Sequence, residues 1–227
     1  MVRAAKSAAA EHVFAPVALE RFAVPVGPAG LVLGRDSGGA TVRLRLFRPE
    51  PTRVTFVGGF WAARIIALRC LALGARIVVR AGDPQRWTAL DGAAGGVGDR
   101  VWPAPDEQGV LPGADDTRPL LHLYDLGPGD GGARAPLGPW QTQLTVLDRI
   151  GAAGAPPLAE SDLVLLQRLG EPEAALAAAG LNLSPETTPL LQAMHDDMIA
   201  VLGGGADRYA WLAATSVERR LFGEPTR

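Results

Sequence analysis

The run Arg53 to Arg80, RVTFVGGFWAARIIALRCLALGARIVVR, constrains this chain more than any other segment. It opens on a β-rich apolar stretch, turns at Gly58-Gly59, and continues as an apolar stretch of helical length. Gly74 is a natural helix stop, and a second β-rich stretch follows. The pattern reads as strand, glycine turn, helix, strand. Two buried strands joined by a helix at this spacing pair in parallel through a right-handed crossover. The prediction is an α/β domain with a mainly parallel sheet flanked by helices. Units of this kind usually hold a phosphate at the glycine turn, because free amides and the helix dipole face the anion there.

The chemistry that normally sits on such a unit is absent from the sequence. A P-loop needs G-x-x-x-x-G-K-[ST], with the lysine on the β- and γ-phosphates and the hydroxyl on magnesium. Here Gly58 and Gly59 lead directly into Phe60, Trp61 and Ala62, and the only lysine in the chain is Lys6. Phe60 or Trp61 is expected to fill the phosphate space. A dinucleotide fingerprint is incomplete as well. Arg80 ends the second strand, where a dinucleotide site keeps its ribose-reading residue, and an arginine there suits a 2′-phosphate. The favoured reading is that the glycines only permit tight strand–helix packing and Arg80 caps or solvates the strand end. Gly58, Gly59, Phe60, Trp61 and Arg80 remain the candidate nucleotide contacts, together with Asp125.

Asp125 closes the apolar run PLLHLYD and is the type of carboxylate that holds a metal or its water at a strand end. Leu126 and Gly127 follow it where a catalytic glutamate usually stands, with Asp130 further along the loop, so turn capping is the favoured role. His12, His122 and His195 are scattered without metal-ligand spacing, and no metal site is expected. His122, within an apolar run, reads as a structural histidine. Cys70 reads as a small buried hydrophobe, and one cysteine excludes a disulfide within the chain. No G-x-S-x-G or H-E-x-x-H motif occurs. The residues call for no cofactor, and a missing lysine and glutamate point away from catalysis.

Composition excludes other classes. The 227 residues are 48% hydrophobic and 20% charged, as in an ordinary globular protein. A formal net charge of −2 supplies no general field for nucleic acid. Arg43, Arg45, Arg48 and Arg53 cluster, but a solvated sheet face explains them. The N-terminal residues lack the apolar core of a signal peptide, and the apolar helix Phe60–Leu73 is too short to span a bilayer. The expected location is cytoplasmic, with any attachment to a membrane machine made through partners.

Around the central unit, residues 1–20 are expected to form a flexible arm, 21–222 a single α/β domain and 223–227 a tail. Phe22–Val26 and Gly30–Gly34 are strand candidates. GLVLGRDSGGATVRLRLF forms an N-terminal β-hairpin around Asp36-Ser-Gly-Gly39, with Thr41–Phe47 as its second strand. The stretch 82–118 is rich in Gly, Pro and Asp, with a short helix from Asp83-Pro84 and a loop over Gly92–Gly98. Pro119–Asp125, Gln143–Asp148 and Asp162–Gln167 are strands, with loops at Gly127–Gly138 and Gly151–Pro157. Glu173–Ala179 is a helix stopped by Gly180. Ser184-Pro185-Glu186 starts another, to about Met194. Met198–Leu202 and Tyr209–Leu212 form a C-terminal β-hairpin, and SVERRLF is a last short helix.

This order of elements resembles the RecA-like motor domains of the FtsK/SpoIIIE and secretion ATPase superfamily, type VII secretion included. In that family a hairpin of the form LGxDxxGxxVxLxL precedes the P-loop strand, and here it stands as LVLGRDSGGATVRLRLF. The metal-binding strand is matched by Pro119–Asp125 without its glutamate. The strand that ends in a sensing Thr-Gln pair is matched by Gln143–Asp148 without that pair. The resemblance covers most of residues 22–222. It implies a degenerate, non-hydrolysing relative: a pseudo-ATPase module whose partners are motor ATPases or secretion components. A nucleotide- or NADP-binding Rossmann-like domain is the alternative.

Overall fold

The computed structural model describes residues 30–93, 100–103, 111–125, 136–151, 155–204 and 207–227. The predicted arm 1–20, the strand candidate Phe22–Val26, most of the loops Gly92–Gly98 and Gly127–Gly138, and Asp130 lie outside the described residues.

One ten-stranded sheet organises the described residues. In chain order its strands are β1 (Leu31–Arg35), β2 (Thr41–Leu44), β3 (Thr52–Val57), β4 (Arg76–Ala81), β5 (Val101–Pro103), β6 (Leu120–Asp125), β7 (Gln141–Leu147), β8 (Leu163–Leu166), β9 (Met198–Gly203) and β10 (Arg208–Trp211). Across the sheet they run β2-β1-β10-β9-β8-β3-β7-β6-β4-β5. The block from β8 to β5 is parallel throughout. From β8 outward to β2 every pairing is antiparallel. The two predicted hairpins are both present, and they join each other: Arg35 on β1 pairs with Trp211 on β10. The domain is thus α/β with a mainly parallel sheet extended on one side by an antiparallel meander.

The helices are α1 (Phe60–Ala72), a 3₁₀ turn (Pro84–Trp87) running into α2 (Thr88–Ala93), α3 (Ala155–Ala159), α4 (Glu171–Leu181), α5 (Thr187–Ala193) and α6 (Ser216–Phe222). Helix α1 follows β3 after only Gly58 and Gly59. It buries Trp61, Ala62, Ala63, Ile65, Ile66, Ala67, Cys70 and Leu71, which occupy more than one face. A helix apolar nearly all round has to be covered on several sides. Here the sheet lies on one side, and α2 and α6 also pack against it. Leu73 and Gly74 end it, and Gly74 takes φ +90°, a conformation that suits glycine.

Strand alternation divides the sheet into two faces. Val54, Phe56, Ile77, Val79, Leu121, Leu123, Leu144 and Val146 share one core with α1. Val57, Leu147, Val164 and Leu166 form a second core with Ala174, Ala177 and Leu191 from α4 and α5. Along the rest of that second face the parallel strands carry polar residues. Thr55, His122, Gln143 and Thr145 are all buried. Thr55 Oγ1 donates to Pro157 O at 3.1 Å, and His122 Nε2 bonds Gln141 Oε1 at 3.0 Å.

Several local expectations change. Helix α4 begins at Glu171 and passes through Gly180 to Leu181, where Asn182 in the left-handed region (φ 51°, ψ 46°) ends it. Asparagine tolerates that conformation because its short polar side chain bonds locally. The segment Ser184-Pro185-Glu186 is a turn ahead of α5, which starts at Thr187. Two short elements interrupt stretches that read as irregular: β5 lies within 82–118, and α3 starts within Gly151–Pro157 and runs on to Ala159. Their three and five residues are too few for a period to register.

Candidate functional site

The ends of β3, β6, β7 and β8 and the start of α1 meet along one edge of the sheet, where a parallel α/β domain places its ligands. Gly59 is the N-cap of α1 and is extended, at φ −70° and ψ 150°. Its N–H donates to Gln167 Oε1 at 2.6 Å, and the N–H of Gly58 donates to Leu147 O at 3.0 Å. Both amides are therefore used within the fold. Gln167 is fully buried just past β8, and its Nε2 donates to Asp196 O. It ties the glycine turn to the start of β9.

Both glycines are needed for space. A Cβ on Gly58 would strike the Gln167 amide and would lie 2.6 Å from Phe56 Cζ. A Cβ on Gly59 would meet the carbonyl oxygen of Thr226 and would lie 2.8 Å from the Cα of Arg227. The C-terminal segment thus folds back across the head of α1. Trp61 anchors the start of that segment: its Nε1 donates to Gly223 O at 3.0 Å, and its ring is buried. The end of the segment is held by Arg227, which forms an ion pair with Glu173 of α4 at 2.9 Å.

Phe60 takes a different position from Trp61. It is half-buried, with its ring edge-on to Trp87 at 4.8 Å between centroids. The guanidiniums of Arg86 and Arg64 lie 4.0 and 4.6 Å from its centre. Burial, and then Arg86 nearby, hold the Arg64 guanidinium below its ordinary pKa.

Asp125 stands at the end of β6 and is buried. Its carboxylate accepts from Trp87 Nε1 at 2.9 Å and from Arg86 at 3.4 Å. Arg86 also reaches Asp148, after β7, at 4.0 Å. Burial raises the Asp125 pKa, with Asp148 and Asp83 adding to the rise, against the Trp87 hydrogen bond and Arg86. A guanidinium and an indole N–H therefore share one oxygen of this carboxylate, Oδ2. Among the described residues no group of three or more His, Cys, Asp or Glu is placed to hold a metal ion.

Arg80 does not join this edge. It alternates with Val79 and Ala81, which face α1, so its side chain lies on the opposite face, 5.7 Å from the Tyr124 ring centre. His122 lies on that same face, its pKa held below the ordinary value by burial and by Arg80, against the Gln141 hydrogen bond. The structure thus brings Gly58, Gly59, Phe60, Trp61 and Asp125 to one edge and separates Arg80 from them. Gln167, Arg86, Glu173, Thr226 and Arg227 belong to the edge through partners distant in sequence. Only Glu173 carries a local signal, as the third residue of α4 bonded back to Gly170.

The sequence matches no protein-family model and no curated protein. Solved structures share the fold. VirB4 of Thermoanaerobacter pseudethanolicus superposes with a TM-score of 0.55 at 11% identity, over 84% of this chain and 98% of that one. The cytoplasmic domain of the type VII secretion ATPase EccC of Thermomonospora curvata gives 0.53 at 12% identity, over 86% of this chain and 31% of that one. At such identities the likeness is one of fold.

Proposed function

We propose that this protein is a non-catalytic, pseudo-ATPase-like interaction module that works within a bacterial secretion or translocation machine. The observation that carries the reading is the internal use of the Gly58 and Gly59 amides and of Asp125 at the strand edge. The Gly59 amide is bonded to Gln167, the backbone of Thr226 and Arg227 covers Gly59, and Asp125 is bonded to Trp87 and Arg86. A phosphoryl-transfer site needs a cation clamp and metal ligands free for the nucleotide, and removing such a clamp costs orders of magnitude in rate. The fold shared with EccC, a type VII secretion ATPase, supplies the context. Partners in this reading are motor ATPases or secretion components, engaged by a chain in which no described helix is long and apolar enough to cross a membrane.

The test uses the full chain with magnesium and ATP, GTP, NAD or NADP at millimolar concentration. The reading expects no hydrolysis and no thermal shift, since a ligand at a hundredfold its Kd would stabilise by about 2.7 kcal/mol. Hydrolysis abolished by Asp125→Ala would overturn it. For the partner, crosslinking in native membranes followed by mass spectrometry is expected to recover a motor or channel component. Recovery of soluble metabolic enzymes alone would count against the secretion context.

A further inference from the structure

Arg227 is held as a ligand is held. Its Nε donates to Arg168 O, one terminal nitrogen donates to Asp148 O at 3.1 Å, and the other donates to both oxygens of Glu173 at 3.0 and 2.9 Å. These acceptors come from the ends of β7 and β8 and from α4. Glu173 is itself fixed by the backbone, accepting from Gly170 N–H at 3.0 Å and Ile150 N–H at 3.2 Å. Both side chains of the pair are mostly covered, at 13% and 16% exposure. Burial alone would raise the Glu173 pKa. The Gly170 N–H, Arg227 and the Ile150 N–H together outweigh that and keep the carboxyl ionised below the usual range. Two carbonyls and an oriented carboxylate match the planar fork of a guanidinium, which lysine does not reproduce.

The segment that delivers this arginine is bound along its backbone. The chain leaves α6 at Gly223, with φ +78°, and Trp61 Nε1 holds the Gly223 carbonyl. Gln167 Nε2 reaches Thr226 O at 3.5 Å. A cleft of about 610 Å³ continues beside the guanidinium, with Arg149, Ile150, Pro172 and Gln192 in its wall. The groove therefore has the parts of a peptide site: backbone contacts, one specific side-chain subsite, and open space beyond.

We propose that this groove is a binding site for an extended peptide bearing an arginine, and that Gly223–Arg227 is the occupant the chain supplies to itself. A tethered occupant competes at millimolar effective concentration, so an external segment gains access only when the tether is released or its arginine is lost. The inference concerns the Glu173 subsite and holds whether or not the chain binds a nucleotide.

The experiment uses the full-length Arg227→Ala variant, shown to be native by circular dichroism, and a labelled peptide of sequence Gly-Glu-Pro-Thr-Arg. Fluorescence anisotropy is expected to give saturable binding to the variant, at least about tenfold weaker binding to the unaltered chain, and a further loss of at least about tenfold when Glu173→Gln is added. The same peptide ending in alanine is expected not to bind. Absence of saturable binding to Arg227→Ala, or equal binding of both peptides, would overturn the site. Should Arg227→Ala not fold, Glu173→Gln in the otherwise unaltered chain gives the second reading. The backbone heteronuclear NOE at Glu224, Thr226 and Arg227 is expected to fall, and unchanged values sink the proposal.

Discussion

Arg69 of α1 and Glu218 of α6 form a two-point ion pair, Nε to Oε1 at 2.6 Å and a terminal nitrogen to Oε2 at 2.9 Å. The remaining Arg69 donors go to the carbonyls of Val32, Leu33 and Ala213. Glu218 also accepts from the N–H of Thr215, whose hydroxyl in turn caps α6. One arginine therefore fastens the central helix to the β1 strand, to the chain after β10 and to the last helix. Glu218→Gln or Arg69→Leu leaves a buried charge or polar group without its partner. Either is expected to lower unfolding free energy by roughly 3 kcal/mol, read from urea titration. A loss under 0.5 kcal/mol, the usual range for surface changes, would show that the pair contributes little.

The pH dependence has opposite signs at two carboxylates. Burial would raise the Glu218 pKa, but its bonds to Arg69 and Thr215 outweigh that and lower it. Its stabilisation is thus present above the unfolded-state pKa and is lost as the solution acidifies through the lowered folded value. Asp125 behaves in reverse, because burial raises its folded pKa above the unfolded one. The native state then binds the extra proton, and stability falls as pH rises through that window. Asp125→Asn keeps an acceptor for Trp87 and removes the titration. The variant is expected to gain stability relative to the unaltered chain as pH rises from the ordinary aspartate range towards neutrality, measured as urea midpoints. A constant difference across that range would refute the assignment.

The two glycines of the turn are predicted to fail differently. Gly58→Ala drives a methyl into the buried Gln167 amide and the Phe56 ring, both within the folded core. Overpacking of that kind costs about 1–3 kcal/mol. Gly59 has a backbone conformation that alanine adopts, and its methyl first meets the covering segment at Thr226 and Arg227. Gly59→Ala is expected to cost less and to lower the backbone heteronuclear NOE after Gly223. The reverse ranking in denaturation would contradict this packing.

Cys70 is fully buried on α1, and burial raises its thiol pKa far above the usual value. The thiolate is the reactive form, so alkylation in native buffer is expected to be slower than in urea by more than about 100-fold. Comparable rates in the two conditions would show that α1 opens readily.

The parallel core was legible because its strands are apolar runs and α1 lies between two of them. Leu120–Tyr124 and Arg76–Ala81 need no distant partner to be recognised as strands. The hairpin turn at Asp36 was legible too, and its carboxylate accepts from Gly38 and Ala40 as such a turn requires. The site was legible only where residues are contiguous. Gly58, Gly59, Phe60 and Trp61 announced a closed turn, but what closes it came from elsewhere. Sequence reading placed Phe60 or Trp61 in that space; the structure turns Trp61 into the core and lays Thr226 and Arg227 over Gly59.

By itself, then, the sequence determined the alternation of elements, the parallel core and the absence of a P-loop lysine, since these follow from local periodicity and residue identity. Tertiary structure decided that the two hairpins form one continuous sheet, that Arg80 faces away from the glycine turn, and that Arg86 and Trp87 bond to Asp125. It also decided that residues 223–227, which read as a tail, lie across the head of α1. Each depends on a pairing between residues tens to more than a hundred positions apart. Such pairings are selected by strand direction, by side-chain alternation and by the need of buried polar groups for partners, and none of these is expressed in a local window of sequence.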